Sequence, residues 1–308
     1  MRRRALLALA AAPLCAAAAD DAWIDDVWTD PARHRSLPIR LRAPAAPGPR
    51  PAVILSHGLG GSRAGLAYLG HALAEAGFWA IHLQHPGTDS SIWQGVADRR
   101  TAFAAAALDI GQALARLQDG IFALDEIARR SANGAGPLRG RVDLSRLAAA
   151  GHSYGAWTVQ HLLGQRIPGG DRGLHLPETR LKAGIILSPI PPQGLPPRLA
   201  FARISAPMLH VTGTEDRTFL DGASPEDREI PFRSITTHPQ VLAVLSGATH
   251  AAFADEAAAG SRWGESAYHA RTAALAVLFL RATLLEDAEA RQAMATTISE
   301  GDRLETKG

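Results

Sequence analysis

The sequence predicts an α/β protein: one mostly parallel sheet with helices on both faces. Three observations lead there. Short unbroken apolar runs such as Ala52-Val53-Ile54-Leu55 suit strands covered on both sides. Stretches with helical spacing alternate with those runs along the chain. Glycine-rich turns, Ser56-His57-Gly58-Leu59-Gly60-Gly61 and Gly151-His152-Ser153-Tyr154-Gly155, join strand to helix. The 308 residues are 46% hydrophobic and 20% charged, with a mean hydropathy of -0.03, which excludes disordered, collagenous and coiled-coil classes. One large α/β domain accommodates this length.

Arg2, Arg3 and Arg4, the apolar residues 5–14 and the small residues Ala17-Ala18-Ala19 have the three-part pattern of a cleaved secretory signal ending at residue 19. It is too short to span a membrane. The arginine run also resembles a twin-arginine signal. Cys15 raises a lipid anchor, but Leu14 is bulky where such a site needs a small residue. Cleavage leaves 29 basic and 30 acidic side chains and removes the single cysteine. Periplasmic or secreted localisation follows as an expectation, and thiol catalysis and cysteine-held zinc are excluded. With no basic stripe, nucleic acid is not an expected partner, and neither is stable membrane insertion.

Residues 20–308 read as a single domain. Residues 23–28 and 37–41 predict two strands joined by a turn at Asp30-Pro31, and proline-rich residues 43–51 a loop. A strand over 52–55 is followed by a helix over 65–76 that stops at Gly77. Residues 78–83 predict a strand and 97–117 one long helix, through Phe103, Ala107, Ile110, Leu114 and Leu117. A strand at 147–150 and a helix at 154–163 flank the second glycine turn. Three more strands fall at 183–187, 207–212 and 241–245. A helix over 267–285 precedes a polar tail, from about 287, expected to fray.

The candidate chemistry centres on Ser153. A serine in a tight strand-to-helix bend between two glycines is lifted above the sheet. Serine is a weak nucleophile without a base and a group that orients the base. Both are expected at the ends of later strands, where Asp216 follows residues 207–212 and His250 follows residues 241–245. Glu215 and Asp221 compete with Asp216 as the acid, and His210, His238 and His269 with His250 as the base. Backbone N–H groups of Leu59 and Tyr154 are the candidate oxyanion donors. His85-Pro86-Gly87-Thr88-Asp89 fits a pocket wall or a plain turn, and Trp93, Trp157, Phe219 and Phe253 fit an acyl pocket or the core. His57 and His82 sit in no metal-binding pattern, so no metal and no cofactor are expected.

These residues bring out a resemblance. The chain resembles the α/β-hydrolase superfamily, and within it the bacterial predicted dienelactone hydrolase group related to platelet-activating factor acetylhydrolases. The matching pieces are Trp28-Thr29-Asp30 with Leu37-Pro38, the Ser56–Gly61 turn, His85-Pro86-Gly87, Val142-Asp143 ahead of the Ser153 turn, and Gly247-Ala248-Thr249-His250. The resemblance spans about residues 23–285 and implies a cofactor-free Ser-Asp-His esterase, and the lack of a long insertion after residues 183–187 favours a small soluble ester as its substrate. Two departures stand out. True dienelactone hydrolases use cysteine where this chain has Ser153. The acetylhydrolases place their acid one strand earlier, where residues 188–197 hold no carboxylate. Acyltransfer on the same triad, polyester or lipid hydrolysis, and a non-catalytic ligand-binding role remain alternatives.

Overall fold

The computed structural model describes residues 23–169, 174–255 and 265–308. The expected signal segment and Cys15 lie outside the described residues. A nine-stranded sheet forms the centre, in the order β1-β2-β4-β3-β5-β6-β7-β8-β9. The strands are β1 (Ile24–Asp30), β2 (Arg35–Arg42), β3 (Arg50–Ser56), β4 (Trp79–Leu83), β5 (Val142–His152), β6 (Leu181–Leu187), β7 (Met208–Glu215), β8 (Gln240–Thr249) and β9 (Arg303–Lys307). β4, β3, β5, β6, β7 and β8 run parallel, while β1, β2 and β9 join antiparallel at the two sides. The molecule is therefore α/β with a single, mostly parallel sheet.

The apolar run in β3 explains why the sheet needs covering on both faces. Ala52 and Ile54 enter one buried cluster, and Val53 and Leu55 enter the other. Helices α3 (Ile110–Asn133) and α4 (Tyr154–Leu162) supply Leu117, Leu124, Val159 and Leu162 to the first cluster. Helices α1 (Ala67–Glu75) and α7 (Glu265–Leu284) supply Leu69, Leu73, Leu275 and Leu280 to the second. The remaining helices are α2 (Arg99–Leu108), α5 (Pro197–Ala200), α6 (Ile230–Ser234) and α8 (Ala288–Ala293). No helix among the described residues is long and apolar enough to cross a membrane.

Two sequence expectations are corrected. The single helix over 97–117 is two helices, because Asp109 leaves helical geometry (φ -77°, ψ 97°) and its carboxylate accepts the N–H of Gln112 as the cap of α3. That helix then continues to Asn133, well beyond the expected end. The polar tail also holds structure. β9 pairs antiparallel with β8, and Arg233, Arg303, Glu229 and Glu305 form ion pairs along this outer strand. Charge there suits a sheet edge, which needs polarity on its open side and so shows little apolar signal.

The chain leaves β3 for β4 on one side and returns to β5 on the other. Such a reversal opens a crevice at the carboxyl ends of parallel strands. The Ser56–Gly61 turn, Ser153, Asp216 and His250 all follow carboxyl ends of strands on this edge.

Candidate active site

The β5–α4 bend is tight enough to exclude side chains. A Cβ on Gly151 would lie 2.3 Å from the backbone of Gly155, and one on Gly155 would lie 1.9 Å from the carbonyl of Ser56. Ser153 itself adopts φ 54°, ψ -116°, a backbone region costly for a residue with a Cβ. The strain lifts its hydroxyl out of the bend. Tyr154 is the first residue of α4, so its N–H has no carbonyl one turn back within the helix to bond.

The candidate acid and base arrive from the loops after β7 and β8. His250 Nε2 lies 2.9 Å from Ser153 Oγ, and His250 Nδ1 lies 2.7 Å from Asp216 Oδ1. Because the carboxylate accepts, Nδ1 carries the hydrogen and Nε2 is free to take one from Ser153. Gly213 permits this meeting, since a Cβ there would lie 2.0 Å from the carbonyl of Ala248 on the adjoining strand. Burial separates the rival acids. Asp216 is fully buried beside the imidazole, whereas its neighbour Glu215 faces solvent, and Asp221 is held by Arg228 at 2.7 Å. Burial alone would raise the Asp216 pKa. The His250 hydrogen bond, the His250 and Arg228 charges and the Thr212 hydroxyl outweigh it and hold the carboxyl below the ordinary value.

The rival bases lie elsewhere. His210 is buried against Gln240, and His269 stacks on Tyr68. His238 precedes β8, at the amino end of that strand, and its carbonyl accepts from Gln240 Nε2. His152 Nε2 donates to the backbone carbonyl of His250 at 3.0 Å and so fixes the loop that carries the base. Its burial, and the charge of His250 nearby, push its own pKa down to about 3, leaving it neutral.

The glycine turn after β3 faces Ser153. Trans peptide units point C=O and N–H in opposite directions. The carbonyl of Gly58 is held by His57 Nδ1 at 2.6 Å and by the Gly61 N–H at 3.1 Å, which fixes the peptide whose N–H belongs to Leu59. Arg116, wholly buried, donates to the His57 carbonyl at 2.6 Å and to the hydroxyls of Thr88 and Thr158. Leu59 and Ser153 together line two cavities, of about 360 and about 990 Å³. Trp157 lines the smaller and Trp93 and Phe219 the larger, while Phe253 is core.

A second serine–histidine–aspartate chain lies close by. His85 Nε2 is 3.1 Å from Ser56 Oγ, and His85 Nδ1 is 3.0 Å from Asp119 Oδ2. All three are buried, and Asp119 also binds Arg33 and Arg35 from the β1–β2 hairpin. His85 is thus a structural tie and not a pocket wall. His82 is likewise buried, its Nδ1 2.9 Å from the Gly65 carbonyl. Among the described residues, no three His, Cys, Asp or Glu side chains cluster to hold a metal.

Sequence reasoning missed Arg228, Arg116 and Asp119, which hold the acid, the glycine turn and His85. They sit in a loop or on a helix with no motif around them, so pattern gave no signal. No family model matches the chain, and no curated protein is significantly similar to it.

Proposed function

We propose that the protein is a serine hydrolase of the α/β-hydrolase type that cleaves carboxylic esters, and that its N-terminal segment directs it out of the cytoplasm. The observation that carries this reading is the hydrogen-bonded row Ser153–His250–Asp216, with a strained serine opening into two cavities. Ser153 Oγ attacks the ester carbonyl carbon as its proton passes to His250 Nε2. Asp216 holds the imidazole in the required tautomer and balances the charge it gains. The N–H groups of Tyr154 and Leu59 take the oxyanion. Collapse breaks the bond to the alcohol oxygen, which leaves with the proton from His250. Water then gives a proton to His250 and attacks the acyl carbonyl, and Ser153 recovers its proton as the acid departs.

The test is a panel of p-nitrophenyl esters of graded acyl length with purified protein, together with fluorophosphonate labelling. Saturable hydrolysis and a label on Ser153 are expected. Absence of both would remove the reading. Acyltransfer is a second reading, favoured by the roughly 990 Å³ cavity beside His250, which has room for an alcohol in place of water. Added alcohols would then divert acyl groups into new esters.

A further inference from the structure

The smaller cavity continues past the nucleophile along one flank of α4. Tyr154, Trp157 and His161 follow Ser153 at helical spacing, and all line it. At 1.5 Å per residue, His161 stands about 12 Å along the helix axis from Ser153. The walls between are mostly apolar, with Ile110, Ala113, Ile167, Ile190 and Leu220 among them. Among the polar side chains that line it are His161 and Gln165, and each has a group without a partner among the described residues.

The first is His161, 3% exposed. Its Nδ1 lies 2.8 Å from the carbonyl of Trp157, which can only accept, so Nδ1 carries the hydrogen. Burial pushes its pKa down to about 4. Nε2 therefore holds a lone pair, and among the described residues nothing donates to it. The second is Gln165, 4% exposed and just beyond the helix end. The Ile190 N–H donates to Gln160 Oε1, which makes the other Gln160 terminal atom its NH2 group. That group donates to Gln165 Oε1 at 2.9 Å, leaving the Gln165 NH2 as an unused donor among the described residues.

Unpaired polar groups on buried side chains are uncommon and call for an occupant. A wholly apolar acyl end would strand both groups. A carboxylate could not give His161 a hydrogen. The charged side chains that line the cavity are already engaged: Asp109 caps α3, Asp221 is bound by Arg228, and Arg166 has an interaction of its own. We propose that this cavity holds the acyl half of the ester, and that His161 and Gln165 select acyl groups bearing a hydroxyl at the far end. The hydroxyl donates to His161 Nε2 and accepts from the Gln165 NH2. Which half enters rests on the hydrolase reading. The leaving alcohol needs the proton of His250, and His250 lines the other cavity.

The test compares p-nitrophenyl 8-hydroxyoctanoate with p-nitrophenyl octanoate, whose chains reach about the depth of His161. A kcat/KM preference of about tenfold for the hydroxylated ester is expected, the scale of one buried hydrogen bond gained or lost. His161→Leu and Gln165→Leu, each confirmed folded by its melting curve, should bring that preference to parity or below. Equal or poorer use of the hydroxylated ester by the unaltered protein overturns the proposal. So does a preference that survives both variants. If neither ester is cleaved, calorimetry of methyl 8-hydroxyoctanoate and methyl octanoate with Ser153→Ala protein decides. Tighter binding of the hydroxylated ester, lost on adding His161→Leu, supports the site while removing the hydrolase reading. Equal binding removes the site.

Discussion

The molecule contains the same three residue types in the same hydrogen-bonded order twice. Ser153–His250–Asp216 and Ser56–His85–Asp119 have donor–acceptor distances of 2.9 and 2.7 Å in the first and 3.1 and 3.0 Å in the second. Their surroundings differ in every respect that matters to chemistry. Ser153 sits on a positive-φ bend between two cavities, while Ser56 ends a central strand and is 2% exposed. Asp216 accepts from His250 and from the Thr212 hydroxyl, with Arg228 at 3.3 Å. Asp119 is shared among His85, Arg33 and Arg35; burial would raise its pKa, but the hydrogen bonds and charges of His85 and Arg35 carry it far below the ordinary range. Access and backbone strain, as much as residue type, therefore distinguish the two rows. The sealed copy ties the first hairpin to the strand that bears the glycine turn.

The sharpest way to break this comparison is to remove each serine. Ser153→Ala is expected to cut ester turnover by ~10⁶, the scale of losing a triad nucleophile. Ser56→Ala should cost less than about tenfold in rate and about 1–3 kcal/mol in stability, because His85 loses a buried partner. Fluorophosphonate should label Ser153 alone, and a label on Ser56 would erase the distinction.

The acids offer the next contrast. Asp216→Asn should lower turnover by up to ~10⁴ through the wrong histidine tautomer, measured against Glu215→Gln, whose solvent-facing side chain should matter little. Asp119→Asn is expected to act on stability instead. Breaking a buried ion pair costs about 3–5 kcal/mol, and the partial exposure of Arg33 and Arg35 places this case near the lower end. Denaturant melts give the second number, and a loss of activity without a loss of stability would contradict it.

Acid separates the two histidines most gently. Burial, followed by the charge of Arg116, pushes the pKa of His85 down to about 4, whereas an unfolded histidine takes its proton near ~6.5. Between those values the unfolded chain binds more protons. The stability is then complete above about pH 6.5 and falls by about 1.4 kcal/mol per unit for this residue as pH drops toward 4. Asp119, with its pKa depressed, adds a further loss only below the ordinary carboxylate range. His85→Gln should make the decline in Tm between about pH 7 and pH 5 shallower, and an unchanged slope would mean that His85 is not held neutral.

Much of the site was legible because its constraints are local. The glycines around Ser153 answer to a bend whose neighbours lie within a few residues, apart from the carbonyl of Ser56. The position of His250 followed from the strand that precedes it. The choice between Asp216 and Glu215 was not local. Successive residues at a strand end point in opposite directions, and only the packed sheet shows which one is inward. The break at Asp109 was hidden because alanine-rich flanks keep helical spacing on both sides, and an aspartate inside such a run reads as a solvated surface residue.

The sequence by itself determined the alternation of strand and helix, the two glycine turns and the serine between them, because apolar runs, helical spacing and bends that admit only glycine are properties of neighbouring residues. The tertiary structure decided what those pieces meet. It joined residues 153, 216 and 250, set the same residue types at 56, 85 and 119 out of reach of solvent, and turned His161 and Gln165 toward a shared cavity. Burial, charge balance and access depend on strands and helices far apart in the chain, and no local pattern encodes them.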